Sequence, residues 1–167
     1  MAFYSSGVEY GIHCLVNMLD ERGESRVMTV REAAKLQGVP YDYLGKIFTQ
    51  FSKAGLVESS EGRKGGYKLA KPASDIKILD ITRAIDGEKS IFDCKEIRQR
   101  MDVFTEGVPS WACEELCGIH AVMLKAQEKM EQELAQHSIL DLVKQMHTKS
   151  HDTFNIEVKE WFDKQRN

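Results

Sequence analysis

The chain has 167 residues, 42% of them hydrophobic, and a formal net charge of −3. That length and apolar content exclude an intrinsically disordered polymer and allow about one ordinary domain with an appendage. No apolar run approaches the roughly 20 residues that cross a bilayer, and the N-terminus lacks the basic-then-apolar pattern of a secretory signal, so a cytoplasmic location and no membrane partner are expected. In that compartment cysteines serve as metal ligands, redox groups or buried residues more often than as stable disulfides. The four cysteines are Cys14, Cys94, Cys113 and Cys117.

From the N-terminus, Val8, Ile12, Leu15, Val16 and Leu19 recur at helix spacing over residues 3–20. Residues 21–25 read as a loop. Thr29 followed by Glu32 forms a capping-box pattern for a short helix over 30–37, stopped by Gly38. Pro40 opens the next helix, which runs to about Ala54 with Leu44, Ile47, Phe48 and Phe51 inward and Gly55 behind it. Two short alternating segments, 56–60 and 67–70, flank the glycine-rich stretch 61–66 and predict a β-hairpin. Helices followed by a hairpin, with a short Gly38 turn between the second and third, predict a winged helix-turn-helix. A further helix is expected from Ile78 to Ile85, ended by Gly87. Residues 93–117 read as irregular.

From about Gly118, Ile119, Met123, Ala126, Met130 and Leu134 make a narrow stripe suited to pairing with another helix. The fold class is thus mainly α with a small β-hairpin wing plus a long dimerisation helix. The expected organisation is a DNA-binding domain over 1–72, a connecting helix and loop over 73–117, the dimerisation helix over 118–143 and a C-terminal tail over 144–167. No repeat, nucleophile–base triad, phosphate-binding loop or dinucleotide fingerprint is present, so no enzyme is expected.

Residues 42–72 carry six basic and three acidic groups, whereas residues 73–167 carry 13 and 18. A basic segment on an acidic chain fits either a polyanion contact or an ordinary solvated face. In a helix-turn-helix, base contacts come from the start of the second helix, here Tyr41, Asp42, Tyr43 and Lys46. Arg63 and Lys64 at the wing tip are placed for phosphate or minor-groove contact with double-stranded DNA.

The run Tyr43-Leu44, Phe51, Ala54-Gly55-Leu56-Val57 and Gly62-Arg-Lys-Gly-Gly-Tyr67-Lys-Leu-Ala70 resembles the signature of the Rrf family of bacterial winged-helix transcription regulators, with the RsrR-like members nearest. The likeness spans roughly residues 2–143. It implies a homodimer on a near-palindromic operator and a cysteine-bearing loop that holds an iron–sulfur cluster. The family loop commonly spaces three cysteines six apart; here Cys94, Cys113 and Cys117 are 19 and 4 apart.

Glu9 and His13 stand four apart and share one helix face, which by itself is a surface pair or a pair of ligands. The resemblance implies that Cys113 and Cys117 of one subunit, with Glu9 and His13 of the other, hold a 2Fe–2S cluster. Histidine can replace cysteine as a cluster ligand. If Ser110 caps a helix, Cys113 lies in its first turn, where the thiolate is favoured. Cys94 and His120 are further candidate ligands, and Cys14 reads as a small core group. A structural zinc site on the same residues, or no metal at all, is the alternative.

Overall fold

The computed structural model describes residues 2–20, 22–62, 65–149 and 152–166, with the side chains of 152–155 outside that description. Among them are seven α-helices: α1 (Ser6–Asn17), α2 (Val30–Gln37), α3 (Tyr41–Lys53), α4 (Ile78–Asp86), α5 (Gly118–Gln136), α6 (Ile139–Lys149) and α7 (Asp152–Arg166). One hairpin, β1 (Val57–Ser60) and β2 (Gly66–Leu69), pairs antiparallel with Val57 opposite Leu69 and Ser60 opposite Gly66. The chain divides into two compact units, residues 1–87 with 134–167, and residues 88–133.

In the larger unit the local signals act as expected. The Thr29 Oγ1 accepts the Glu32 backbone N–H at 3.1 Å, and Glu32 returns the bond by accepting the Thr29 N–H at 2.7 Å. These two bonds satisfy donors that the first turn of α2 would otherwise leave orphaned. Gly38 ends α2 at φ 66°, a left-handed conformation that most residues adopt only with strain. Pro40 precedes α3 and its carbonyl accepts from Leu44 at 3.2 Å. Leu44, Ile47, Phe48 and Phe51 of α3 are all buried. The hairpin is anchored by a further bridge, in which Met28 and Tyr67 exchange two backbone hydrogen bonds of 2.8 Å.

α1 lies against both α3 and α4. A Cβ on Gly11 would stand 2.5 Å from Ile85 Cδ1 and 2.7 Å from Phe51 Cζ, so a larger residue would force both side chains to shift. On the inward side of α1, Cys14 is fully buried, as the sequence reading expected, and its sulfur accepts a hydrogen bond from Gln37 Nε2 at 3.1 Å. Burial pushes its thiol up to about 12.

The long C-terminal helix predicted over 118–143 is two helices. α5 stops at Gln136 and α6 starts at Ile139, because Ser138 and Asp141 form their own cap: Ser138 N donates to Asp141 Oδ2 at 2.9 Å, and Asp141 N donates to Ser138 Oγ at 3.2 Å. The break is held by Ile78 N donating to the His137 carbonyl and Ile139 N to the Ile76 carbonyl, each at 3.0 Å. Leu134, counted in the pairing stripe, packs on the core of the larger unit.

Of the segment read as a tail, residues 144–149 complete α6 and residues 152–166 build α7. Phe162 of α7 is 5% exposed and belongs to the same core as Leu15 and Phe48. Val158 and Trp161 lie against it. At its end, Arg166 Nε meets Glu32 Oε1 at 2.7 Å and Nη2 meets Oε2 at 3.2 Å, a two-pronged pair on the carboxylate that also caps α2. Burial works to raise the Glu32 pKa, but the hydrogen bonds from Arg166 and Thr29 outweigh it and hold the group below its ordinary value.

In residues 88–133 the largest element is the first sixteen residues of α5. Short 3-10 turns cover Ile97–Gln99 and Ser110–Ala112. Ile91 N donates to Gln127 Oε1 at 3.1 Å, which ties the start of the unit onto α5. Among the described residues of α5 none is fully buried, and Ile119 and Val122 are each 68% exposed.

Candidate functional site

Two groups of residues carry chemistry, one in each unit. In the larger unit, the first turns of α3 display Tyr41, Asp42, Tyr43 and Lys46, all exposed. Tyr43 is also turned back toward α1: its ring stands edge-on to Tyr10 at 5.8 Å, and a Cβ on Gly7 would be 3.0 Å from its hydroxyl. The start of α3 is therefore built partly on α1. Arg63 and Lys64 lie outside the described residues; the expected hairpin that leads to them is present, with Ser60 opposite Gly66 as its last pair. Glu9 and His13 share one exposed face of α1 and line a common surface hollow with Tyr4 and Ile12.

In the smaller unit the structure gathers thiols and an imidazole. Ligand atoms of Cys94, Glu96 and His120 lie within 4.8 Å of one another. Glu96 is held at φ 49°, the only positive φ outside glycine among the described residues. Its backbone N–H points at the Cys94 sulfur; burial and the Glu96 carboxyl oppose that bond and leave the Cys94 thiol raised. The His120 Nδ1 is buried with no hydrogen-bond partner among the described residues. An orphaned ring nitrogen beside thiols is a donor set that suits a soft metal or an iron–sulfur group.

Cys117 stands immediately before α5, and its carbonyl accepts from Ala121 at 2.8 Å, the first bond of the helix. The free N–H groups of His120 and Ile119 then point at its sulfur and hold its pKa below the usual thiol value, with help from the Arg98 charge and a hydrogen bond from Cys94. The thiolate-favouring helix start thus belongs to Cys117. The sequence reading gave that position to Cys113 on the condition that Ser110 caps a helix, but Ser110–Ala112 is only a 3-10 turn and the α-helix starts at Gly118. Cys113 follows that turn, exposed, outside the Cys94–Glu96–His120 group. All four cysteines are free thiols, so the disulfide reading has no support here.

Glu96 and Arg98 were not singled out from sequence. Arg98 donates to the Glu115 carbonyl and reaches Glu96 Oε2 at 3.4 Å, which fixes the loop around Cys117. The only sequence signal for Glu96 is an acid two residues after a cysteine, a common pairing; its left-handed backbone, which brings the carboxylate back over Cys94, leaves no mark in composition.

A winged helix-turn-helix with a cysteine-bearing loop ahead of a long helix defines a class of DNA-binding transcription regulators. The model of the Rrf2 family, described as iron-dependent transcriptional regulators, matches residues 4–145, and the chain belongs to that family. Solved structures agree on the fold. The IscR of T. potens is similar at TM-score 0.65 with 25% identity, over 90% of this chain and 92% of that one. CymR (YrzC), the global cysteine regulator of B. subtilis, is similar at TM-score 0.65 with 19% identity, over 86% of this chain and 98% of that one. The oxidised form of S. aureus CymR is similar at TM-score 0.60 with 20% identity, over 85% and 96%. Among the described residues no helix is long and apolar enough to cross a membrane.

Proposed function

We propose that this chain is a homodimeric transcription regulator of the RsrR type, sensing redox state or a related signal through a 2Fe–2S cluster that sets its affinity for DNA. The observation that carries the reading is the Cys117 sulfur at the start of α5, hydrogen-bonded by Cys94, with the orphaned His120 nitrogen close to Cys94. Cys113 and Cys117 of one subunit serve as ligands with Glu9 and His13 of the partner subunit. Exposure of Glu9 and His13 on one face of α1 supports this, because a partner can reach both at once. When bound, such a cluster supplies a one-electron couple, and imidazole in place of thiolate raises its potential. α1 passes a displacement on to α3, since Tyr10 touches Tyr43 and Gly11 seats Phe51 without an intervening methyl. α3 reads a near-palindromic operator with Tyr41, Asp42, Tyr43 and Lys46, while Arg63 and Lys64 hold phosphates.

A second ligand set is favoured by one observation, the Cys94–Cys117 hydrogen bond: Cys94 in place of Cys113. Iron, sulfide and zinc per chain, measured on anaerobically purified protein with its visible spectrum, decide between them. Cys117→Ala abolishes iron and colour in both sets. Cys113→Ala abolishes them, and Cys94→Ala keeps them, if the first set holds; the reverse pattern moves the second thiolate to Cys94. A colourless chain loaded with zinc overturns the cluster reading. For DNA, Arg63→Ala with Lys64→Ala lowers the slope of log affinity against log salt by about 2, because each lost phosphate contact removes roughly 0.9. An unchanged slope removes the wing from the interface.

A further inference from the structure

Between the end of α1, the loop before α2, and helices α6 and α7 lies a cavity of about 450 Å³, a size in the range of small-molecule sites. Val16, Val158 and Phe162 form an apolar wall. Around it Arg22, Arg26, Lys159 and Arg166 face the two carboxylates of Asp20 and Asp163, an excess of positive charge. Asp20 is already used within its own loop, where Oδ1 accepts the backbone N–H groups of Arg22 and Glu24 at 2.9 Å. Arg166 is engaged with Glu32.

Arg26 is the unusual member. Its Nη2 donates to the Leu19 carbonyl at 2.9 Å and its guanidinium sits 5.1 Å from the centre of the Phe162 ring, so the group is fixed in place. Its Nε is buried and has no hydrogen-bond partner among the described residues. Asp20 and Asp163 offset part of the Arg26 charge, and a carboxylate entering the cavity would add a further counter-charge to a guanidinium held largely out of water. Burial also works against the Arg26 charge. Met146, Val158, Phe162 and Arg166 all lie beyond residue 145, where the match to the family model ends.

We propose that this cavity binds a small organic anion, a carboxylate on a short apolar body, with the carboxylate on Arg26 and the body against Val158 and Phe162. A bare inorganic anion would leave the apolar wall unused, and a neutral apolar molecule would leave Arg26 unmatched. Because α7 also delivers Arg166 to the cap of α2, occupancy secures α7 on the helix-turn-helix.

The test is calorimetric titration and thermal melting of the full chain with hexanoate as the probe, and 1-hexanol and inorganic phosphate as controls. Hexanoate is expected to saturate and to raise the melting temperature, with 1-hexanol and phosphate each binding at least about tenfold more weakly, the worth of one charge-assisted hydrogen bond. Arg26→Gln is expected to weaken hexanoate by about tenfold or more with unchanged circular dichroism. If that variant does not fold, Lys159→Gln, at an exposed position, serves instead and weakens hexanoate a few-fold. Equal binding of 1-hexanol or of phosphate overturns the proposal, as does no binding of hexanoate or undiminished binding in the folded variants.

Discussion

Of the 23 apolar residues buried among the described residues, only Ala112 lies in residues 88–133; the rest are in the larger unit. Of the 13 large apolar residues left exposed, nine lie in residues 88–133, among them Val103, Trp111, Ile119 and Val122. The two units differ little in the share of apolar residues they contain but strongly in where those residues point. The larger one closes a core around Leu15, Phe48 and Phe51 by itself. The smaller one presents its apolar groups outward, and surfaces of that kind mark places where another chain sits. On α5, Ile119 and Ala126 of the stripe read from the sequence are exposed while Met123 and Met130 are half-buried, and exposed Val122, three from Ile119 and four from Ala126, joins the outward face. This supports the proposed homodimer: the smaller unit would find its core in a second copy.

That contrast can be broken in three places. Phe48→Ala, in the self-sufficient core, is expected to cost about 3–5 kcal/mol in urea unfolding, the loss of a fully buried aromatic plus the cavity it leaves. Val122→Lys, in the outward seam, is expected to leave circular dichroism intact while weakening dimerisation by roughly 2–3 kcal/mol, read by light scattering across concentration. A dimer of unaltered strength would place the seam outside the interface. Arg166→Ala is expected to cost about 1–3 kcal/mol, since Glu32 stays buried with its guanidinium partner gone.

The Arg166 change also carries a sign in pH. Glu32 is held below its ordinary value of 4.5, so its contribution is complete above that pH and is lost as pH falls through the folded value. Melting temperatures of Arg166→Ala should therefore fall less steeply on acidification than those of the unaltered chain. Parallel curves would mean that Thr29 alone lowers the Glu32 pKa.

Where sequence reading succeeded, the cause was local. Thr29 with Glu32, Gly38 before Pro40, and the alternation around 61–66 each fix structure within a few residues, and the helix-turn-helix with its wing follows from them. Tyr41, Asp42, Tyr43 and Lys46 were placed on the exposed start of α3 by the same local logic. Where it fell short, the partner was distant. Arg166 meets Glu32 across 134 residues, so a segment read as a polar tail becomes a helix whose Phe162 completes the core. Cys94 and His120 are 26 positions apart and come together through a left-handed Glu96 and an Arg98 clasp on the Glu115 carbonyl, neither of which has a periodicity to read. Glu9 and His13 were legible as one exposed face of α1, because four residues make about one helix turn.

Cys14 has a consequence of its own. It follows His13 directly, yet with its thiol at about 12 only on the order of one molecule in ten thousand carries a thiolate at pH 8, and no solvent reaches it. Alkylating and oxidising reagents acting on the intact fold can address only Cys94, Cys113 and Cys117. The fourth thiol becomes a covalent clock: any label it acquires records a moment when α1 had lifted away from Gln37, and the rate of labelling counts those moments.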